Sequence, residues 1–167
     1  MELFKKIFSC LNGKSVQYLV VGGVAVNLYG IERATADLDL VLLLEKSNLE
    51  RFIEAIHELG LRPKMPVKLE DLADDEKRKS WIIDKNMKVF ALYDPQKPFF
   101  LLDVLIDAPF DVAAMRSRRK ELPLEDTVIP IAAIEDLISM KEGTDRPQDR
   151  ADVFHLRKIM EEWKDEQ

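Results

Sequence analysis

Apolar positions along the chain recur with the period of a helix in some stretches and in unbroken runs in others, and the change marks the elements. Leu3, Phe4, Ile7, Phe8 and Leu11 share one face of an amphipathic helix over Glu2 to Leu11, which Asn12-Gly13 closes. Tyr18 to Val21 is a short apolar strand. After it come a Gly22-Gly23 turn, a short helix, and a second strand that opens with Asp37 and Asp39. From Leu38 to Leu44 that strand is apolar apart from Asp39, the pattern of a central strand buried on both faces. Ser47 then caps a helix to Leu59, with Glu50 completing a capping box and Leu49, Phe52, Ile53 and Ile56 facing inward.

The second half reads less evenly. Leu69 to Trp81 is helical but strongly charged, and within residues 60–84 it suggests a lid or an insertion. Lys88 to Tyr93 and Phe99 to Ile106, joined through Asp94-Pro95-Gln96-Lys97-Pro98, form an antiparallel hairpin. Asp111 to Arg118 is a short helix and Val128 to Ile131 a short strand. Ala133 to Glu142 and Gln148 to Trp163 are a C-terminal helical pair, turned at Gly143 to Pro147, where proline suits the first turn of a helix. Strands alternate with helices before helices close the chain. The fold class is therefore α/β (α+β), a mixed sheet flanked by helices. No repeat, low-complexity segment or linker divides residues 1–167, and one domain is expected.

Composition narrows the function. A chain 47% hydrophobic and 34% charged is that of an ordinary soluble protein. No apolar run reaches the roughly 20 residues of a membrane span. Met1 to Lys6 lack the apolar core of a secretory signal, so a cytoplasmic protein with no membrane partner is expected. With the lone Cys10 read as a small buried apolar residue, and His57 and His155 as structural, a disulfide or zinc centre is not expected. The net charge of −6 argues against nonspecific adhesion to nucleic acid. Arg116, Arg118, Arg119 and Lys120 form a basic cluster, and Lys77, Arg78 and Lys79 a second. Any contact with RNA is expected to be local, through Arg116 to Lys120 and Lys141. Neither cluster interleaves the aromatic residues of a base-stacking surface.

The candidate chemistry lies around the second strand. Asp37 and Asp39, two residues apart in a strand, project from one face about 7 Å apart, close enough to share a divalent cation. Asp103 lies in a comparable apolar setting, Phe99 to Ile106, where a lone carboxylate needs a partner or a metal. Three such carboxylates suit Mg²⁺ or Mn²⁺, and with a glycine turn that lets backbone N–H groups approach phosphate they point to phosphoryl or nucleotidyl transfer. The structural alternative has Asp37 capping a strand end, Asp39 pairing with Arg33 and Asp103 pairing within the sheet. Lys141 extends the inward stripe of Ile134, Leu137 and Ile138. It either reaches a triphosphate or snorkels along the core edge. Asp149 and Asp152 begin the inward stripe of the last helix, where they either favour its N-terminus or orient Lys141 and Arg146.

In order, Gly22, Gly23, Asp37, Asp39 and Asp103 follow an apolar strand, a glycine pair, a gap of about a dozen residues, Asp-x-Asp, and a third acid in a later strand. This pattern resembles the nucleotidyltransferase superfamily with the polymerase-beta-type palm. Arg33, Thr35, Asp37, Leu38 and Asp39, with Asp136-Leu137, Met140-Lys141, Arg146-Pro147, Asp149 and Asp152, are similar to the AbiEii-type toxins and related minimal nucleotidyltransferases. The resemblance implies Asp37, Asp39 and Asp103 as catalytic metal ligands. It implies Gly22, Gly23, Arg33, Thr35 and Lys141 as the nucleotide site. The activity implied is Mg²⁺-dependent transfer from a nucleoside triphosphate to a hydroxyl of RNA, protein or a small molecule, with a toxin role and a cognate antitoxin as partner. A non-catalytic nucleotide-binding or interaction module, such as an antitoxin-like partner, is the alternative on the same fold.

Overall fold

The computed structural model describes residues 2–107 and 109–165. Seven strands form one mixed sheet: β1 (Tyr18–Val21), β2 (Leu38–Leu42), β3 (Arg62–Pro63), β4 (Val89–Asp94), β5 (Lys97–Leu105), β6 (Lys120–Leu124) and β7 (Thr127–Ile131). Their spatial order is β3-β4-β5-β2-β1-β7-β6. The central strands are β2 and β1, antiparallel to each other, with β5 parallel to β2 and β7 parallel to β1. The apolar runs read as buried strands thus occupy the middle of the sheet, where both faces can be covered.

One face of the sheet carries Tyr18, Val20, Leu38, Leu40, Leu102, Val104, Phe90 and Leu92, all buried. On this face Phe8 of α1 (Glu2–Gly13) stacks on Tyr18, with ring centroids 6.3 Å apart. The helix α3 (Lys46–Leu59) packs beside α1 and buries Leu49, Phe52 and Ile56. Its start differs from the expected Ser47 cap. The helix begins two residues earlier, after Glu45, with no side-chain cap. Asn48 instead fixes the region: it is fully buried, donates to Gln17 O (2.9 Å) and Leu43 O (2.8 Å), and accepts from Gln17 N (2.7 Å). A buried amide with its bonds satisfied ties together the loops flanking β1 and β2.

The charged stretch resolves into a 3-10 turn at Leu69–Ala73 and α4 (Asp75–Lys85). Asp74 breaks the two apart and caps α4, accepting from Lys77 N at 3.1 Å. It is no lid. Leu69, Leu72 and Trp81 are buried, and Trp81 stacks on Phe90, which points to the face opposite Asp103.

The hairpin β4/β5 forms, but Asp94 pairs with Lys97 around a turn of Pro95 and Gln96 in place of the longer Asp94–Pro98 loop expected, and the strand near Val128 extends to Thr127–Ile131. Two strands were not legible. The dipeptide β3 adds an edge to β4, and β6 pairs with β7 at the other edge, with Pro123 opposite Val128. Edge strands tolerate proline and charge, so β6 lacks the apolar alternation that would mark it. The remaining helices are α2 (Gly22–Leu28), α5 (Val112–Ser117), α6 (Ile134–Glu142) and α7 (Pro147–Asp165). The helix α2 starts at Gly22 itself, so the glycine pair is its first turn and not a separate loop. No described helix is long and apolar enough to cross a membrane.

Several charges of the two basic clusters have local partners. Arg118 pairs with Asp136 (2.6 Å) and Arg119 with Glu121 (2.7 Å), while Arg116 donates to Tyr18 O (3.3 Å). The Lys120 ammonium lies 4.3 Å from the Trp163 ring centroid. Likewise Lys77 pairs with Asp71 (2.7 Å), Lys79 with Asp75 (2.7 Å), and the buried Arg78 donates to Leu72 O (2.6 Å). Of the four residues expected to meet RNA, Arg118 and Arg119 thus face carboxylates, while Arg116 and Lys120 have no carboxylate within ion-pair distance among the described residues. His57 and His155 are exposed rather than packed, His57 against Glu70 (2.8 Å) and His155 edge-on to Phe154. Cys10 is half-buried and donates weakly to Ala55 O (3.7 Å).

Candidate active site

The register of the central strands decides the site. Asp39 on β2 lies directly beside Asp103 on the parallel β5, and opposite Val21 on β1. Cross-strand partners share a face, so the two carboxylates stand side by side on the face away from α1 and α3. Asp37 precedes the strand, and all three aspartates line one cleft of about 390 Å³. That volume is within the range of small-molecule sites. A more open groove of about 740 Å³ lies elsewhere, along Lys46, Glu50, Glu54, Glu70, Asp74 and Asp75, whose charged side chains are exposed rather than held in the central strands.

Gly22 and Gly23 close the cleft from the β1 side. Gly22 has φ +65°, and a Cβ on it would lie 2.0 Å from Asp39 Oδ2. At Gly23 a Cβ would meet Thr35 Oγ1 at 2.7 Å and the Arg33 guanidinium carbon at 3.2 Å. Only glycine allows this approach, so the pair is required by the packing of Asp39, Thr35 and Arg33 against the first turn of α2.

The carboxyls are electrostatically crowded. Burial, then Asp103, then Asp37 push the Asp39 carboxyl up to about 6, against a backbone hydrogen bond from Gly23 and the charge of Lys141. Burial and then Asp37 also raise Asp103, with Lys64 acting the other way. One oxygen of Asp103, Oδ1, is buried without a hydrogen-bond partner. Neither Asp39 nor Asp103 has a cation within ion-pair distance among the described residues, so the pairing of Asp39 with Arg33 does not occur.

Arg33 pairs instead with Asp152, and Asp152 also takes Lys141 at 2.8 Å. Lys141 bridges to Asp149 at 3.1 Å. Asp149 in turn accepts from Thr144 (2.6 Å) and Arg146 (2.8 Å). Burial alone would raise Asp149, but the Thr144 and Lys141 hydrogen bonds hold it below the usual carboxylate range. Lys141, Asp149 and Asp152 are all buried, so the last two helices are joined by a charge network at the cleft wall. Lys141 lines the cleft, as do Arg33, Thr35, Arg146 and Asp149. The inward stripe was legible from helical spacing. The partnership of Arg33 with Asp152 was not, because the two residues are 119 positions apart.

A hard divalent cation fits this donor set. The orphan Asp103 oxygen and the raised Asp39 carboxyl are both relieved by a positive charge between them. As the side chains stand, no three His, Cys, Asp or Glu among the described residues form a closed metal cage.

No protein-family profile matches the chain, and no curated protein matches it in sequence. Solved structures do match. The lincosamide antibiotic adenylyltransferase LnuA, bound to lincomycin, superposes with a TM-score of 0.62 at 15% identity, covering 95% of this chain and 96% of that one. ANT(2")-Ia in complex with adenylyl-2"-tobramycin gives 0.55 at 15% identity, over 93% of this chain and 85% of the other. An antigenic nucleotidyltransferase-like protein from Paracoccidioides brasiliensis gives 0.54 at 14% identity, over 92% and 74%. At these identities the likeness is one of architecture. The chain has the nucleotidyltransferase fold, a mixed sheet flanked by helices.

Proposed function

We propose that this protein transfers a nucleoside monophosphate from a nucleoside triphosphate to a hydroxyl acceptor, with Mg²⁺ or Mn²⁺ held by Asp37, Asp39 and Asp103. The observation that carries this reading is the in-register pair of Asp39 and Asp103, two destabilised carboxylates at one cleft, one with an orphan oxygen. A non-catalytic binding module would have no use for such a costly pair. The adenylyltransferase named among the similar structures supports the same class of reaction.

A cation so held would offset the charge that develops on the phosphate oxygens during transfer. The protein's own groups do the rest. Asp103, raised by burial and therefore a better base, takes the proton of the acceptor hydroxyl as its oxygen bonds the α-phosphorus. The bond from the α-phosphorus to the bridging oxygen breaks and pyrophosphate leaves. Gly22 and Gly23 keep side chains out of the path of the phosphates. Lys141, fixed by Asp149 and Asp152, presents its charge at the cleft wall beside Arg33 and Thr35. The Arg33-x-Thr35-x-Asp37-x-Asp39 pattern supports the finer reading of an AbiEii-like toxin with a cognate antitoxin, acting in the cytoplasm on RNA, a protein or a small molecule.

A pyrophosphate-release assay with each common nucleoside triphosphate, Mg²⁺ and a panel of acceptors tests the proposal. Release by the wild type that is lost in Asp39→Asn and Asp103→Asn supports it. Metal-dependent triphosphate binding without pyrophosphate from any acceptor would replace the enzyme with a binding module.

A further inference from the structure

The row of residues that contains the catalytic carboxylates continues across the sheet to a free cation. Asp39 is beside Asp103, Asp103 is beside Ala91 on β4, and Lys64 N donates to Ala91 O at 2.9 Å. This extends the register of Arg62 with Tyr93 and Pro63 with Leu92 by one residue. Lys64 therefore stands on the same face as Asp103, two strand spacings or roughly 10 Å away. Only the methyl group of Ala91 lies between. The side chain is near enough to lower the Asp103 carboxyl.

Arg62 occupies the next position on this face, in line with Tyr93 and Leu101. Arg62 and Lys64 are exposed, and among the described residues neither has a carboxylate within ion-pair distance, in contrast to Lys77, Lys79, Arg118 and Arg119. Tyr93, Ala91 and Leu101 are half-exposed, so this part of the sheet is open. It lies on the far side of Asp103 from Gly22 and Gly23, where the acceptor must approach if the triphosphate lies against the glycines.

We infer that Lys64 and Arg62 form an acceptor subsite for a hydroxyl compound that carries a phosphate beside the reacting hydroxyl, and that a polycationic acceptor is disfavoured. The inference rests on the nucleotidyl-transfer reading above. Two unpaired cations on an otherwise acidic protein attract an anion and repel the amines of a compound such as tobramycin. The apolar strip of Tyr93, Ala91 and Leu101 accepts the flat or apolar part of the same molecule. Two sources share this chemistry, a free sugar phosphate and the end of an RNA strand.

NMR titration locates the binding without requiring turnover. Ribose 5-phosphate and a short oligoadenylate with a free 3′-hydroxyl are added to the wild type with the nucleotide site filled by a non-hydrolysable triphosphate and Mg²⁺, and again without them. Both probes are expected to shift the Lys64 and Ala91 amides, ribose and tobramycin are not, and Lys64→Glu should weaken the response about ten-fold or more. Phe99, exposed on β5 and on the same face as Leu101 and Asp103, is the aromatic ring on which a further base would stack, so an oligoadenylate that binds far tighter than ribose 5-phosphate, and loses that advantage in Phe99→Ala, identifies a strand end as the source. Equal affinity identifies a free sugar phosphate. Equal shifts with ribose, preference for tobramycin, no response to either phosphate probe, or an undiminished response in Lys64→Glu overturns the inference. Lys64→Ala, whose thermal melt should match the wild type, controls for misfolding. In the transfer assay Lys64→Glu should lower kcat/KM for phosphate-bearing acceptors about ten-fold with the triphosphate KM unchanged. Phosphate-dependent shifts in a protein that releases no pyrophosphate would keep the anion subsite and remove nucleotidyl transfer.

Discussion

Lys141 Nζ lies 2.8 Å from Asp152 Oδ2, and the two side chains are 9% and 1% exposed. This contact joins the C-terminal helical pair to the wall of the cleft, because Asp152 also receives Arg33 from the loop before β2. Lys141 thus does not snorkel to solvent but stands at the centre of a buried network at the cleft wall.

The network makes Lys141→Met a stability variant as well as a binding variant. Removing the cation leaves Asp149 and Asp152 short of a partner, at a cost of about 3 kcal/mol, the range for a broken buried pair. A fall of only a few tenths in chemical denaturation would show that Arg33 and Arg146 compensate. Asp152→Asn should lower the charge-dependent part of triphosphate affinity less than Lys141→Met does, since it removes the anchor but retains the cation.

Asp39→Asn should stabilise the protein free of metal. The Asp39 carboxyl sits near 6 when folded against an ordinary value of 3.8, so the folded state holds its proton more tightly. Its ionisation costs stability as pH rises from about 4 to about 6, and the full cost, about 1–2 kcal/mol after screening, is present above that window. Denaturation at pH 4.5 and pH 7 should show this slope in the wild type and lose it in Asp39→Asn. Mg²⁺ should raise the melting temperature of the wild type alone. A wild type indifferent to Mg²⁺, with and without triphosphate, would count against the metal site.

Gly22→Ala tests the close approach at the first turn of α2. The added methyl meets Asp39 at 2.0 Å in a left-handed backbone, and Asp39 must leave its position for the chain to fold. A destabilisation of about 1–3 kcal/mol with loss of the Mg²⁺ response is expected. Gly30→Ala, where nothing lies within 4 Å but φ is +96°, should bear the backbone strain without the loss of metal response.

Reversal of Arg118 and Arg119 to glutamate should leave transfer within two-fold, because both already face carboxylates at Asp136 and Glu121. A strong, salt-sensitive loss of RNA labelling in this variant would show that the surface meets RNA despite these pairs.

How much was legible follows from the range of each interaction. Periodicity is local, so α1, α3, β1, β2, the β4/β5 hairpin and the final helices could be read from neighbouring residues. The Asp37 and Asp39 spacing and the glycine pair were legible for the same reason, as were Asp149 and Asp152 on the inward stripe of α7. The edge strands β3 and β6 were not, since an edge is defined by its partner and carries weak patterning of its own. The partners of the basic runs were not legible either, because sequence shows charges but not what they meet, and Asp136 and Asp71 reach Arg118 and Lys77 only in the folded chain. Likewise the resemblance implied one site for Asp37, Asp39 and Asp103, while only strand register showed Asp103 beside Asp39 and Lys64 in the same row. Register is set by pairing between segments dozens of residues apart, a property of the tertiary structure that no local pattern contains.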